Sequence, residues 1–133
     1  MKNICYVLVL FVLASNSHAQ SWQKANPMLG GGRDAAVAFT IGNKIYSGGG
    51  AGNGNRDFYE YDTQTKLWTK KANIPGVDTN RGFAVGFAVN GKGYVGLGTD
   101  GIYAPVVLAD LWEYDPASDT WASKANYPGG PRD

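Results

Sequence analysis

The stretch RDAAVAFTIGNKIYSGGG (Arg33–Gly50) returns as RGFAVGFAVNGKGYVGLG (Arg81–Gly98), with no gap between the two copies. Arg33, Ala36, Val37, Phe39, Lys44, Tyr46, Gly48 and Gly50 recur as Arg81, Ala84, Val85, Phe87, Lys92, Tyr94, Gly96 and Gly98. A second block, DFYEYDTQTKLW (Asp57–Trp68), returns as DLWEYDPASDTW (Asp110–Trp121). The offset is 48 residues in the first block and 53 in the second. A period of that length marks stacked supersecondary units rather than one ordinary globular core.

Each unit reads as four short strands. Residues 35–41 are small and apolar, with Val37, Phe39 and Ile41 alternating, and predict an inner strand buried on both sides; its counterpart is 83–89. Gly42-Asn43 makes a two-residue turn into Lys44–Ser47, and the second unit places Asn90-Gly91 there, the strongest short hairpin signal. Gly48 to Gly54 predicts a flexible loop, Phe58–Tyr61 a third strand, and Asp62 to Thr65 a turn in which Asp62 bonds its own backbone. Trp68 and Trp121 open fourth strands and are expected to be largely buried at equivalent places. Past the first nineteen residues, no stretch of ten or more shows helical periodicity, so the chain reads as all-β.

A four-stranded sheet cannot bury both faces alone, but radially stacked sheets can. Ala35, Ala36 and Ala38, with Gly82, Ala84 and Gly86, suit strands crowded near an axis; Tyr46, Tyr59, Tyr61 and Trp68 suit the widening wedge between sheets. This order of features resembles the Kelch repeat. The wording "IGNKIYSGGG … DFYEYDTQTKLWTKKANIPG" is similar to that of bacterial exported Kelch-repeat proteins. The resemblance implies Kelch-type β-propeller blades, in rings of about six or seven, that commonly bind partners with one face. One departure is Gly96-Leu97-Gly98, where the first unit has consecutive glycines, so the close backbone packing is expected to differ there.

The expected division is a signal peptide over 1–19 and a Kelch-repeat region over 20–133. Within it, 20–30 is a lone fourth strand, 31–75 and 76–128 are two blades, and 129–133 starts a further repeat. A chain that opens on a last strand and stops before a first one is expected to be cut from a longer ring. The alternative is several copies sharing one ring, and exposed sheet edges favour self-association in either case.

Lys2, the apolar run Ile4–Ala14 and Ser17-His18-Ala19 fit a secretory signal, and the run is too short to span a bilayer. Cys5 lies too early for a lipoprotein cysteine. The expected location is secreted, periplasmic or cell-surface. Loss of Lys2 leaves 11 basic against 11 acidic residues, which argues against nucleic-acid or anionic-membrane partners. Cleavage also removes Cys5 and His18, the chain's one cysteine and one histidine. That excludes disulfides, thiolate or imidazole metal sites, and Ser-His-Asp or Cys-His catalysis. No metal or cofactor is expected. A copper oxidase of the galactose-oxidase kind is argued against for the same reason.

Candidate ligand contacts are Arg33, Arg81, Arg132, Asp100 and Tyr103. The three arginines share one repeat position before an inner strand, on the same rim as the loops that follow strand two. Arginine there suits a carboxylate ligand, or equally a clamp between blades. The loop Thr99–Ala109 is five residues longer than its counterpart and carries Asp100 and Tyr103; it either meets a ligand or folds over its own blade edge. The Gly48–Gly54 run opens no helix and so lacks a phosphate-binding N-terminus. Glu60, Glu113, Asp62 and Asp115 repeat in register with the fold, which favours capping and cross-strand pairing over acid–base catalysis. The sequence thus supports a non-catalytic module recognising a glycan or protein. The alternatives are part of a metal-independent Kelch enzyme such as a sialic-acid epimerase, or a truncated product without activity.

Overall fold

The computed structural model describes residues 23–51, 56–101 and 106–133. The first unit forms β1 (Val37–Ile41), β2 (Lys44–Gly48), β3 (Phe58–Asp62) and β4 (Trp68–Lys71), an antiparallel sheet in that order. In the second unit β5 (Arg81–Gly82) precedes β6 (Val85–Val89) and β7 (Lys92–Gly96). There follow β8 (Thr99–Asp100), β9 (Val106–Val107), β10 (Leu111–Asp115) and β11 (Thr120–Lys124). The second large sheet runs β6-β7-β10-β11, while β5, β8 and β9 make a small sheet of their own. Among the described residues no helix forms, and none is long and apolar enough to cross a membrane. The expected signal segment, residues 1–19, lies outside the described residues.

The inner strands start two residues later than the pattern predicts. Ala35 and Phe83, at equivalent positions, have φ of 51° and 55°, and a strand cannot begin until the backbone has left that left-handed region. Asn90 and Gly91 both have positive φ, as the hairpin between β6 and β7 requires. Residues 23–28 form no strand; instead Asn26 donates to the Lys66 carbonyl at 2.8 Å and accepts from the Trp68 indole at 3.0 Å. A fourth strand forms on a third, and these residues face no such neighbour among the described ones.

The two large sheets pack face to face, with β1 lying against β6 and β7. Val37, Phe39, Tyr46, Phe58, Ile74, Val95 and Tyr114 form the buried core, with Trp121 packed against it. Phe58 meets Tyr114 edge-on at 5.0 Å and Trp121 at 5.1 Å between centroids. Small residues admit the large ones. A Cβ at Gly86 would collide with the Val37 side chain, and one at Gly93 with the Phe39 ring. The first unit carries Ala38 and Ile45 at those two places, so the repeat diverges where the sheets press closest. Trp68 and Trp121 are half-buried rather than largely buried, because each turns its indole N–H to the preceding segment: Trp68 to Asn26, Trp121 to the Ala72 carbonyl at 3.0 Å.

The same positions have opposite exposures in the two units. Val37 is 3% and Phe39 7% exposed, whereas Val85 is 51% and Phe87 45% exposed. Phe87 stacks on Tyr94 at 5.1 Å as Phe39 stacks on Tyr46 at 5.5 Å, but among the described residues no further sheet covers the second pair. Beside it lies a hollow of about 400 Å³ walled by Val85, Phe87, Leu97, Leu111 and Tyr127. Among the described residues the two large sheets form an open arc, not a closed ring.

The contact between the sheets can be tested with two variants. Phe39→Ala is expected to cost about 3–5 kcal/mol by truncation of a core ring. Gly93→Ala is expected to cost about 1–3 kcal/mol by overpacking. Since the added methyl meets Phe39 itself, Gly93→Ala should cost little once Phe39 is already alanine. Urea unfolding of the four proteins measures this, and strictly additive effects would show that the two sites do not touch.

Candidate functional site

The rim that carries the lead-ins to β1 and β6 also carries the loops leaving β2 and β7. In the first unit lead-in and loop meet through one bridge, Asp34 to Ala51. In the second, Arg81 pairs with Asp100, Gly82 with Thr99, and Val106–Val107 adds a further strand. The long loop therefore folds back on the lead-in of its own blade. Arg132 continues the pattern in backbone: its carbonyl accepts from Gly98 at 2.7 Å, as the Arg81 carbonyl accepts from Gly50 at 2.6 Å.

Arg81 is fully buried. Its guanidinium is bidentate on Asp110, Nη1 to Oδ1 at 2.8 Å and Nη2 to Oδ2 at 2.5 Å. The same two nitrogens donate to the carbonyls of Leu97 at 2.9 Å and Pro75 at 3.1 Å. Arg33 repeats the arrangement on Asp57, with the Gly49 and Gly30 carbonyls as its other acceptors. The hydrogen bond to Asp57 holds the Arg33 guanidinium above its ordinary pKa despite burial. A third donor steadies each carboxylate: the Tyr59 hydroxyl on Asp57 at 2.9 Å, the Trp112 indole on Asp110 at 2.6 Å. Nε of both arginines is buried without a partner, a cost carried at the same place in both units.

Asp100 faces inward to the chain. Its carboxylate accepts from the N–H groups of Asp78, Thr79 and Asn80 and from the Thr79 hydroxyl, at 2.8 to 3.3 Å. Burial opposes its charge, but these donors outweigh burial and lower its pKa. Arg132 is exposed and stacks its guanidinium over Tyr127 at 5.7 Å. Tyr103 lies outside the described residues.

Sequence reasoning did not single out Asn80 or Phe83. Asn80 is 2% exposed, and its amide oxygen accepts from the Gly101 N–H at 2.8 Å while its amide nitrogen reaches the Gly50 carbonyl at 3.4 Å. Phe83 is 63% exposed and bonds through its N–H to the Ala35 carbonyl at 3.1 Å. Together with Ala51, Gly82, Thr99, Gly101 and Asp133 they wall a cavity of about 290 Å³ on this rim.

The repeated carboxylates are engaged in cross-strand pairs. Glu60 accepts from Tyr46 at 2.7 Å and Glu113 from Tyr94 at 2.6 Å, while Lys44 binds Asp62 at 2.7 Å and Lys92 binds Asp115 at 2.6 Å. Among the described residues no cluster of acidic, histidine or cysteine side chains could hold a metal.

Two four-stranded antiparallel sheets stacked face to face have the architecture of β-propeller blades. The chain superposes on the solved structure of YjhT with a TM-score of 0.62 and 24% identity, over 74% of this chain and 29% of that one. In sequence it is similar to N-acetylneuraminate epimerase of Brucella suis and of Brucella melitensis biotype 1. Each is 36% identical over 92 residues, or 65% of this chain and 23% of the relative. The chain thus spans about a quarter of the length of the curated relatives it matches. No family model matches.

Two outcomes are expected from these contacts. Arg81→Ala strands a shielded carboxylate and several carbonyls, and should cost about 3–5 kcal/mol in chemical unfolding. Arg81→Lys should recover little, since one ammonium cannot reproduce the fork. A melting curve unchanged in Arg81→Ala would show that the clamp is not structural.

The second concerns acid. The hydrogen bond from Lys44, then the N–H groups of Gln64 and Thr65, hold Asp62 at about 2 against an ordinary 3.8. A carboxylate lowered on folding stabilises fully above its unfolded pKa, and that contribution is lost as pH falls toward the folded one. Melting temperature should therefore fall between about pH 4 and pH 2. Asp62→Asn should be less stable at pH 7 and flatter across that window; an acid limb of unchanged slope would count against the assignment.

Proposed function

We propose that these blades belong to a sugar-recognising propeller of the N-acetylneuraminate epimerase kind, with the ligand seated on the rim that carries Asn80, Phe83 and Thr99. The observation that supports this most is the 36% identity to that epimerase across 92 residues, a stretch most of the two blades' length. The rim adds a concave, mixed polar and aromatic surface suited to a small ligand. On this reading Arg33 and Arg81 shape the rim from behind, and Arg132, exposed and without a carboxylate partner among the described residues, is the arginine open to a ligand's acid group.

A second reading is a module that binds a glycan or protein without converting it. One observation favours it: the two repeated arginines are committed to Asp57 and Asp110, so the rim's strongest charges are already neutralised. Magnetisation-transfer NMR on N-acetylneuraminate separates the two. Faster exchange between its anomers in the presence of the chain is expected for the first. Binding on a glycan array with no gain in exchange would favour the second. Neither binding nor exchange would overturn both sugar readings.

A further inference from the structure

Phe83 combines two costs with no return in folding. Its φ of 55° places a bulky side chain in the left-handed region, where a large non-glycine residue is an outlier. Phe83 is also 63% exposed, so packing among the described residues does not offset that strain. The equivalent residue in the first blade, Ala35, has the same conformation at φ 51° without a ring. The backbone geometry therefore belongs to the fold, and the ring is specific to the second blade.

The described residues around the ring are tied together by hydrogen bonds. Gly82 pairs with Thr99 in the small sheet, and the Phe83 N–H is fixed on the Ala35 carbonyl. Asn80 is held on both sides, by Gly50 and by Gly101, and Asp100 ties down the loop before it. Thr99, 4% exposed, borders the same cavity, as does Asp133. At about 290 Å³ the cavity sits at the lower edge of the range for small-molecule sites, roughly 300–1,000 Å³, which suits one ring rather than an extended ligand.

We propose that Phe83 is a specificity-determining residue that stacks on the C–H face of a single pyranose ring, while Thr99 and the backbone around it meet the sugar's hydroxyls. The electron-rich face of an aromatic ring attracts the weakly positive C–H hydrogens of a pyranose, and polar groups at the edge select its orientation. This rests on the sugar-binding reading of the rim.

The test is titration of the chain with N-acetylneuraminate, followed by ligand-observed NMR, for wild type, Phe83→Gly and Phe83→Trp, each with a thermal melt. Glycine adopts this φ without strain, so Phe83→Gly should melt at the wild-type temperature or above it. Its affinity should fall by about 2- to 10-fold, the scale of one aromatic contact. Phe83→Trp should bind like wild type. Wild-type affinity in Phe83→Gly would overturn the role of Phe83 and leave the sugar reading standing. A lower melting temperature with unchanged affinity would likewise overturn it, by making the ring structural. No binding by the wild-type chain would overturn the sugar reading itself, and this inference with it.

Discussion

The buried pairing of an arginine with the aspartate that opens strand three organises each blade. Arg81 touches four segments at once: the β4 exit through Pro75, the β7 exit through Leu97, the β10 entrance through Asp110, and its own place before β6. Carbonyls at these chain reversals have no ladder partner, and leaving them buried and unpaired would be costly. A guanidinium, with its fixed fork of donors, satisfies several of them while the carboxylate neutralises its charge. Because the fork is planar and rigid, it also fixes the angle at which the loops cross. The clamp thus ties together the chain reversals at this end of the blade.

The alternation of Val37, Phe39 and Ile41, the Asn90-Gly91 turn and the recurrence of both blocks made the blades legible, because sheet pairing follows side-chain periodicity and turn chemistry directly. The arginines were harder. The same residue in the same place serves a ligand or a clamp, and the sequence at that position reads alike for both. The discriminating signal was present, since Asp57 and Asp110 recur together with Arg33 and Arg81, each followed two residues on by an aromatic donor. Phe83 and Leu97 were illegible for another reason. Both take positive φ, at 55° and 58°, where the eye looks for glycine. Leu97 keeps the geometry of Gly49, its N–H on the Asp110 carbonyl at 3.1 Å as that of Gly49 is on Asp57 at 3.0 Å, so the lost glycine did not change the packing as expected.

Burial in this chain is a property of the pair of blades, not of either one. Phe39 and Phe87 have the same neighbours within their own sheets, a stacked tyrosine and a flanking valine, yet they are 7% and 45% exposed. The difference arises because the first blade has Gly86 and Gly93 to press against. Stability in such an array is a sum of weak intrinsic terms and strong interface terms, and the aromatic residues contribute mainly through the latter.

The rim follows a different rule from the faces. On a face, a side chain that loses its neighbour gains one when another blade docks. On the rim, the loops close on their own blade: β8 and β9 pair back onto β5, and Asp100 is spent on the N–H groups of residues 78–80. Contacts between the blades also reach the rim: the Gly50 N–H meets the Arg81 carbonyl at 2.6 Å, and the Phe83 N–H meets the Ala35 carbonyl at 3.1 Å. Among the described residues the rim leaves an exposed phenyl ring on left-handed backbone, beside the buried Thr99. Strain of this kind is where a ligand's binding energy has something to act upon.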